Sequence, residues 1–307
     1  MIAVEYGMPT DKSAPTAQFG VSRGFFQDEG IDLALRPYYG GPAIAAALDE
    51  GRLAFAQIGT PPAIVAVSNG SRFKMVGSAI RRKAHLYLGV KRSIEKAEDL
   101  KGARLGVLSL GSCDEWIART MIGTYGLDPE RDIRFVPIKS GYARVVELIR
   151  EGTIDAALAI EPNMSLGESE GVLRIWAAAY QDEYLPRFQW TVLVATTALI
   201  DREPALLAAL LRAYARSARY AAENADEYAD FLAESYGIHQ TVSRLTVGRE
   251  LPHYELDCRI DLDGLRRAIE IQTGLGGIGR PVSAADLIDL RFLPHIENEF
   301  AMCDEVR

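Results

Sequence analysis

The segment that decides the fold is residues 31–59, IDLALRPYYGGPAIAAALDEGRLAFAQIG. It opens with an apolar run, passes a Gly-Gly pair, continues with Ala and Leu at helical spacing, and returns to an apolar run after Gly51. Apolar runs bounded by turn residues are typical of buried strands, and a glycine after an amphipathic segment is typical of a helix end. The segment therefore predicts a strand–helix–strand unit, with strands at residues 31–37 and 53–58 and a helix at residues 43–50.

A second segment with the same organisation follows in residues 133–157. Both segments have an apolar strand that ends in proline, at Pro37 and Pro137, and a helix that ends in Glu-Gly, at Gly51 and Gly152. Any two strand–helix–strand units resemble each other, so a common ancestry stays open. For the architecture, the repeat favours two similar α/β lobes over one continuous sheet.

Two apolar crossings connect these lobes. Residues 73–80 and 85–90 are apolar runs separated by Arg81-Arg82-Lys83, the pattern of one strand leaving a lobe and another entering its neighbour. Residues 190–196 can carry the chain back, and the C-terminal third has the spacing of helices buried on one face. We expect a discontinuous first lobe of residues 1–82 and 194–307, an inserted second lobe of residues 83–193, and a hinged cleft between them. Other predicted helices span residues 16–28, 61–68, 206–224, 227–236, 241–250 and 261–273.

Composition excludes several classes of protein. The chain has 307 residues, 48% of them hydrophobic, with 34 Lys and Arg against 42 Asp and Glu, which gives a net charge of −8. Such values exclude a disordered chain, a collagen and a disulfide-stapled miniprotein, and an acidic surface disfavours nucleic acid or an anionic membrane as the main partner. A small anion in a local positive pocket stays open. Cys113, Cys258 and Cys303 are odd in number and far apart, so no disulfide framework or zinc pair is predicted.

The N-terminal sequence bears on the cellular compartment of the protein. The chain opens MIAVEYGMP, a short strand pattern broken by Gly and Pro, without the apolar run of about 7–15 residues that a secretory leader needs. No segment approaches the ~18 apolar residues of a membrane span. As written, the sequence predicts a soluble, unexported chain, cytoplasmic if Met1 is the native start and periplasmic if a leader was removed.

The order of several short motifs resembles a known family. The segments FFQDEGIDL, EDLKGARLGV, GLDP and EGTIDA begin at Phe25, Glu98, Gly126 and Glu151. They are similar, in order and spacing, to segments of type II periplasmic binding proteins, and most similar to the sulfonate, nitrate and thiamine-pyrimidine branch of ABC-importer binding proteins. The resemblance covers nearly the whole chain and implies the two-lobed α/β fold of that family, in which each lobe is a mixed sheet flanked by helices.

The resemblance implies a ligand between the lobes. Open α/β sheets predict the same place, because they bind ligands beyond the carboxyl ends of their strands. The residues that we expect to bind the ligand lie in the loops at these ends and are Met8, Tyr38, Tyr39, Gly40, Thr60, Ser109, Ser112, Tyr142, Glu161 and Trp190.

Three strand-to-helix loops could hold an anion. Ser109-Leu110-Gly111-Ser112 opens a helix, whose start presents unpaired N–H groups and about half a positive charge to a sulfonate, carboxylate or phosphate. Ser112 could equally be an ordinary N-cap. The loops Gly59-Thr60-Pro61 and Ser140-Gly141-Tyr142 occupy the same position after a strand. Arg81-Arg82-Lys83 either neutralises a ligand anion or forms a solvated hinge loop.

Aromatic and acidic candidates have two interpretations each. Tyr38, Tyr39, Tyr142 and Trp190 could stack on a planar ligand, or they could be ordinary core residues. Glu161 follows a very apolar strand, where its carboxylate could accept hydrogen bonds from a ligand amine or amidine, or could be an inter-lobe or surface carboxylate.

Two segments match the residue patterns of enzyme motifs but lack the structural context that these motifs need. GESEG at residues 167–171 fits G-x-S-x-G, but its serine lies between two carboxylates in a predicted polar linker. GLGGIG at residues 274–279 fits G-x-G-x-x-G, but it follows a helix and not a strand. The 4 histidines show no metal-ligand spacing, so no metal and no cofactor is predicted.

Two enzymes on this fold resemble the chain less well. Aryl-sulfinate desulfinases are similar around Thr60-Pro61-Pro62, but they use a cysteine in the first strand-to-helix loop, where this chain has Met8. Yeast-type pyrimidine synthases depend on a cysteine-rich segment that the sequence lacks. Cys113 is the weak catalytic candidate that remains, because a thiol at a helix N-terminus can have a lowered pKa, although Asp114 and Glu115 oppose this effect.

The sequence therefore predicts a solute-binding protein of an ABC-type importer. Its two lobes would close on a small anionic or heteroaromatic ligand, such as a sulfonate, nitrate or a pyrimidine, and the partner of the closed form would be an ABC permease. Neither nucleic-acid binding nor membrane insertion is expected. The alternative is a cytoplasmic enzyme on the same fold that acts on an aromatic or sulfur-containing small molecule.

Overall fold

The computed structural model of the chain describes residues 1–80, 85–110, 112–138, 141–181, 184 and 187–293. Within these ranges the strands form two sheets of five strands each. The strands are β1 (Ile2–Met8), β2 (Ile31–Pro37), β3 (Phe55–Gly59), β4 (Phe73–Ile80), β5 (Tyr87–Lys91), β6 (Ala103–Val107), β7 (Ile133–Pro137), β8 (Ala156–Ala159), β9 (Leu173–Ala178) and β10 (Thr191–Thr196).

The two sheets have the same topology. The first has the order β2-β1-β3-β10-β4 and the second the order β7-β6-β8-β5-β9. In each sheet four strands run in the same direction, and the fourth strand of the order, which arrives from the other half of the chain, is antiparallel to both of its neighbours. The prediction of two similar α/β lobes of the type II binding-protein fold is confirmed. The boundaries at residues 82/83 and 193/194 stay a prediction, and residues 82 and 83 lie outside the described ranges.

Helices cover the faces of both sheets. They are α1 (Pro15–Ser22), α2 (Phe25–Asp28), α3 (Gly41–Asp49), α4 (Thr60–Ser68), α5 (Cys113–Thr124), α6 (Val145–Arg150), α7 (Asn163–Ser169), α8 (Thr197–Arg202), α9 (Pro204–Glu223), α10 (Ala225–Tyr236), α11 (Gln240–Glu250), α12 (Leu262–Gly274) and α13 (Ala284–Leu287). Short 3₁₀ helices lie at Ala97–Leu100, Tyr142–Arg144 and Leu251–His253.

Two local predictions were wrong. The single helix predicted at residues 16–28 is two helices, because Gly24 has a left-handed backbone (φ 74°) that ends the first and caps the second. Ser169 of the GESEG segment is the last residue of helix α7 and not part of a polar linker. The GESEG segment therefore lacks the strand-to-helix turn of a nucleophile elbow.

The hydrophobic core is continuous through both halves. Buried apolar residues from all ten strands belong to one cluster, and a smaller cluster around Phe19 and Tyr228 holds helices α1, α10 and α11 together. Helix α11 also packs on helix α7 of the second half. None of the helices within the described ranges is long and apolar enough to cross a membrane. The predicted hinge loop Arg81-Arg82-Lys83 and the loop residue Ser140 lie outside those ranges.

Candidate functional site

The molecule has two halves, each built on one of the two sheets. A cavity of about 750 Å³ lies between these halves, beyond the carboxyl ends of their strands. The first half contributes residues that follow β1 and β3, among them Thr10 and Pro61. The second half contributes residues that follow β6 and β8, among them Ser109 and Glu161. Parallel strands bring these loops to one edge of each sheet, and the two edges face each other across the cavity.

The structure brings six of the ten predicted ligand-binding residues to this cavity. They are Gly40, Ser109, Ser112, Tyr142, Glu161 and Trp190, and the weak catalytic candidate Cys113 joins them. Their function stays a prediction.

Four predicted residues lie elsewhere. Met8 belongs to strand β1, opposite Pro37, and is 3% exposed in the core. Tyr38 packs against the core beside the guanidinium of Arg52. Thr60 is completely buried, although the adjacent Pro61 reaches the cavity. In each case the residue lies one or two positions from the lining, and strand alternation or a helix turn directs its side chain away.

Tyr39 lies at the surface and not in the cavity lining. Its side chain is 61% exposed, and its backbone is left-handed (φ 53°). A Cβ atom placed on Gly141 of the other half would lie 3.9 Å from its Cδ1 atom. The ring therefore lies beside the opposite half of the molecule.

The start of helix α5 already holds a carboxylate of the protein. Asp114 is 3% exposed and accepts hydrogen bonds from the backbone N–H of Leu108 and from the Ser112 hydroxyl. Burial raises the pKa of Asp114 above its ordinary value, against the opposing effect of these hydrogen bonds. Ser112 is the N-cap, and its hydroxyl accepts the N–H of Glu115 at 3.4 Å. This helix start is thus less favourable to an external anion than the sequence suggests.

Cys113 lacks the activation that a nucleophile needs. Burial raises the pKa of its thiol well above the ordinary value, and the neighbouring charge of Asp114 acts in the same direction. Burial also raises the pKa of Cys258 well above the ordinary value. These surroundings disfavour the thiolate form of both cysteines.

Both thiols are therefore expected to resist alkylation. In a Cys303→Ser variant, which retains Cys113 and Cys258, we expect iodoacetamide at pH 8 to react at least about tenfold more slowly with the folded than with the denatured protein. Mass spectrometry of timed samples measures both rates. Rapid alkylation of Cys113 in the folded protein would contradict the assignment and would revive a catalytic function for this residue.

Glu161 is engaged by partners within the protein. Its carboxylate accepts hydrogen bonds from the backbone N–H and the hydroxyl of Ser165, both at 2.8 Å, and from Nη1 of Arg249 at 3.0 Å. Arg249 belongs to helix α11 and also forms an ion pair with Glu168 at 2.6 Å. Burial raises the pKa of Glu161, opposed by the Ser165 N–H, and the charge of Glu250 raises it further. This geometry favours an inter-lobe carboxylate, and ligand binding by Glu161 stays a prediction.

Sequence reasoning missed a polar group of the same cavity, near Glu161. His85 is 2% exposed, and its Nδ1 atom lies 2.6 Å from Oε2 of Glu250. The hydroxyl of Tyr87 donates to the other oxygen of this carboxylate at 2.8 Å. His85 and Glu250 both line the cavity. One clue was available, since His85 is a polar residue that opens an apolar run, but its partner lies 165 positions away and cannot be identified from spacing.

The described residues that line the cavity carry more acidic than basic side chains. Lys12 is the one Lys or Arg among them, and its ammonium lies 5.1 Å from the centroid of the Tyr236 ring. The acidic residues of the same lining are Asp49, Asp114, Glu161 and Glu250.

Comparison with known proteins identifies the relatives of this fold. The sequence model of the family described as NMT1/THI5 like matches residues 18–228. The curated "Putative binding protein YtlA" of Bacillus subtilis (strain 168) is 22% identical over 160 residues, 51% of this chain. The match spans 48% of the length of that relative.

Solved structures match nearly the whole chain. A protein of Bordetella bronchiseptica RB50 superposes with a TM-score of 0.79 at 22% identity, over 95% of this chain and 96% of its own. The alkanesulfonate-binding protein SsuA of Xanthomonas axonopodis pv. citri, bound to MOPS, gives 0.78 at 14% identity, over 94% and 99%. At these identities the likeness shows the fold. The resemblance predicted from the sequence motifs is confirmed.

Proposed function

The chain belongs to the NMT1/THI5-like family, and from this premise we propose that it is the solute-binding component of an ABC-type importer. The observation that carries the proposal is the 750 Å³ cavity, which is lined by strand-end loops of both sheets. A ligand in such a cavity contacts both halves at once, so its binding energy favours the closed arrangement over the open one. The closed form would then be the surface that a permease recognises.

The connections between the halves suit this mechanism. The chain passes from β4 to β5 and returns between β9 and β10, and β5 and β10 each pair with two neighbours in the sheet that they enter. We therefore expect each half to move as a body during closure. The contact of Arg249 with Glu161 joins helix α11 to the second half. In this proposal the ion pair also influences the closure of the two halves.

Binding is favoured over catalysis. The relatives and structural neighbours described above are named as binding proteins where their names state a function. Cys113, the weak catalytic candidate, has a pKa raised by burial, which disfavours the thiolate that nucleophilic catalysis would need. The ligand class that we propose at this level is a small heteroaromatic or anionic molecule.

A thermal-shift screen tests this function. The panel contains sulfonates, nitrate, aromatic acids, pyrimidines and polyamines, because these classes cover both charge signs and planar ligands. A ligand at 100 times its Kd is expected to stabilise the folded chain by about 2.7 kcal/mol. Small-angle scattering with the same ligand should show a smaller radius of gyration, as closure requires.

Two outcomes would contradict the proposal. If a stabilising ligand leaves the radius of gyration unchanged, binding occurs without the closure that a permease is proposed to recognise. If mass spectrometry shows that the ligand is chemically converted during incubation with the protein, the enzyme alternative is correct. Recovery of the unchanged ligand after prolonged incubation is the expected result.

A further inference from the structure

Helix α11 is attached to the first half of the molecule on one face and at its C-terminal end. Val247 packs in the small hydrophobic cluster with helices α1 and α10. Directly after the helix, Tyr254 forms an isolated bridge with Ile80, and the N–H of Glu255 donates to the carbonyl oxygen of Ala79. Strand β4, which ends at Ile80, belongs to the first sheet. An opening movement between the halves therefore carries this helix with the first half.

The last two residues of helix α11 contact the second half. Nη1 of Arg249 donates to Oε1 of Glu161 at 3.0 Å and to the hydroxyl of Ser165 at 2.6 Å. Its Nη2 atom donates to Oε2 of Glu168 at 2.6 Å. Ser165 and Glu168 belong to helix α7. Hydrogen bonds weaken steeply with distance, so a displacement between helices α7 and α11 of about 1 Å would break these contacts.

The adjacent Glu250 forms a second set of contacts. Its Oε2 atom lies 2.6 Å from Nδ1 of His85, in the crossing between β4 and β5, and its Oε1 atom accepts the Tyr87 hydroxyl at 2.8 Å. Tyr87 is the first residue of β5 and is 2% exposed. Hydrogen bonds to a charged group are stronger than those between neutral groups. Arg249 and Glu250 therefore join helix α11 to helix α7, to the loop after β8 and to strand β5.

The charges at this contact make it depend on Arg249. Burial raises the pKa of Glu161, and the charge of Glu250 raises it further, so the two carboxylates lie close enough to repel each other. The guanidinium of Arg249 forms ion pairs with both Glu161 and Glu168. Without it, carboxylates of helix α11 and of the second half would face each other with like charge. The attraction between this helix and the second half therefore depends on specific side chains.

We propose that Arg249 and Glu250 form a lock that holds the two halves together whether or not a ligand is bound. The inference rests on the proposed closure mechanism and adds a resting state to it, in which the closed form is already populated and binding increases its population. The described residues that line the cavity do not include Arg249, Ser165, Glu168 or Tyr87. Loss of lock contacts at these positions should therefore change how often the halves open and not which ligand is recognised.

The two described cysteines provide a measure of opening that needs no ligand. Cys113 lines the cavity between the halves and is half-buried, whereas Cys258 is completely buried in the core. Opening of the halves uncovers Cys113, while exposure of Cys258 requires disruption of the core. The rates of alkylation of the two thiols by iodoacetamide, measured in the Cys303→Ser protein, therefore report opening and unfolding separately.

Two single variants should increase opening. Arg249→Lys keeps the cation but cannot form the forked contacts of a guanidinium, and Tyr87→Phe removes one hydrogen bond to Glu250. In each variant we expect Cys113 to be alkylated about three- to tenfold faster than in the parent protein, the effect of one net hydrogen bond, with Cys258 unchanged. The double variant should react faster still and should have a larger radius of gyration in small-angle scattering.

Matched controls make the same substitutions at contacts that do not reach the second half. Arg244→Lys changes the ion pair of helix α11 with Asp226. Tyr220→Phe removes the hydroxyl that donates to Glu227 at 3.0 Å. Both partners belong to helix α10. We expect these two controls to leave the alkylation of both cysteines unchanged.

The outcomes separate the lock from the function on which it rests. Unchanged alkylation of Cys113 in the double variant would overturn the lock. Equal increases at Cys113 and Cys258 would also overturn it, because the substituted residues would then only stabilise the fold. Neither result touches solute binding, which the ligand screen and its scattering data decide. Faster alkylation of Cys113 alone supports the lock, even if no compound of the panel binds and the solute-binding function fails.

Discussion

Replacement of Arg249 by methionine is expected to lower the free energy of unfolding by about 3 kcal/mol at pH 7. The variant keeps most of the side-chain volume but leaves the carboxylate of Glu161, 2% exposed, without its cationic partner. Removal of one member of a buried ion pair typically costs about 3–5 kcal/mol, and the lower end applies because Arg249 is 26% exposed. Chemical denaturation of both proteins measures the difference.

This loss should depend on pH with a defined sign. Burial raises the folded-state pKa of Glu161 above its unfolded value, so the folded state binds the proton more tightly. The loss of the guanidinium raises this pKa further. The destabilisation by Arg249→Met should therefore be largest above the pKa that Glu161 has in the folded variant. It should decrease as the pH falls toward about 4.3, the ordinary pKa of Glu.

Two further variants make the Arg249 prediction specific. Arg244→Met changes the same helix at an exposed pair, in which Arg244 lies 3.9 Å from Asp226, and should cost no more than about 0.5 kcal/mol. Combination of Arg249→Met with Glu161→Gln should recover part of the loss, because no buried charge remains. Equal and pH-independent losses in Arg249→Met and Arg244→Met would contradict the assigned ion pair.

Gly264→Ala is expected to destabilise the protein by about 3 kcal/mol. A Cβ atom at this position in helix α12 would lie 2.8 Å from the backbone nitrogen of Gln189 and 2.9 Å from the carbonyl carbon of Phe188. These backbone atoms belong to the return connection between the halves and cannot rotate away as a side chain would. Overpacking commonly costs about 1–3 kcal/mol, and a clash with fixed backbone belongs at the upper end.

The surroundings of Gln189 explain why the connection cannot yield. Its amide donates hydrogen bonds to the hydroxyl of Ser78 at 2.7 Å and to the carbonyl oxygens of Ile80 and Thr191. Its own oxygen accepts the backbone N–H of Asp261, the N-cap of helix α12, at 2.9 Å. A displacement of Gln189 would strain all of these bonds, so the helix and both crossings are held together at this point.

Gly274→Ala provides the matched control for Gly264→Ala. Gly274 is the last residue of the same helix, and a Cβ atom there would meet nothing within 4 Å. Without a clash, Ala is more stable than Gly in a helix by about 0.5–1 kcal/mol, so this variant should unfold at the same or a higher denaturant concentration. Similar destabilisation by both alanines would contradict the close approach at Gly264.

The sequence predicted the fold well because the fold depends on local patterns. Strand β2 was predicted with its observed bounds, and the repeat at residues 133–157 correctly indicated two lobes of one topology. The prediction failed where one residue changes the backbone. Gly24 divides the first helix, since a left-handed residue in an otherwise helical pattern leaves little trace in the apolar spacing.

The site was only partly predictable. Strand ends identified the loops of the cavity, and Gly40, Ser109 and Tyr142 reached it as expected. Met8 and Thr60 did not, because one further position along a strand or into a helix reverses the direction of a side chain. A prediction based on strand ends therefore identifies loops more reliably than individual side chains.

The sequence by itself determined the two α/β lobes, the double crossing and the edge at which a ligand would lie, because hydrophobic periodicity and turn residues act over a few neighbouring positions. Only the tertiary structure decided the character of the cavity. It placed Glu250 against His85, Arg249 against Glu161 and Asp114 within the helix start that seemed suited to an anion. Burial and hydrogen bonding between residues far apart in the chain set which polar atoms are satisfied and which face the cavity, and no local pattern of residues records that outcome.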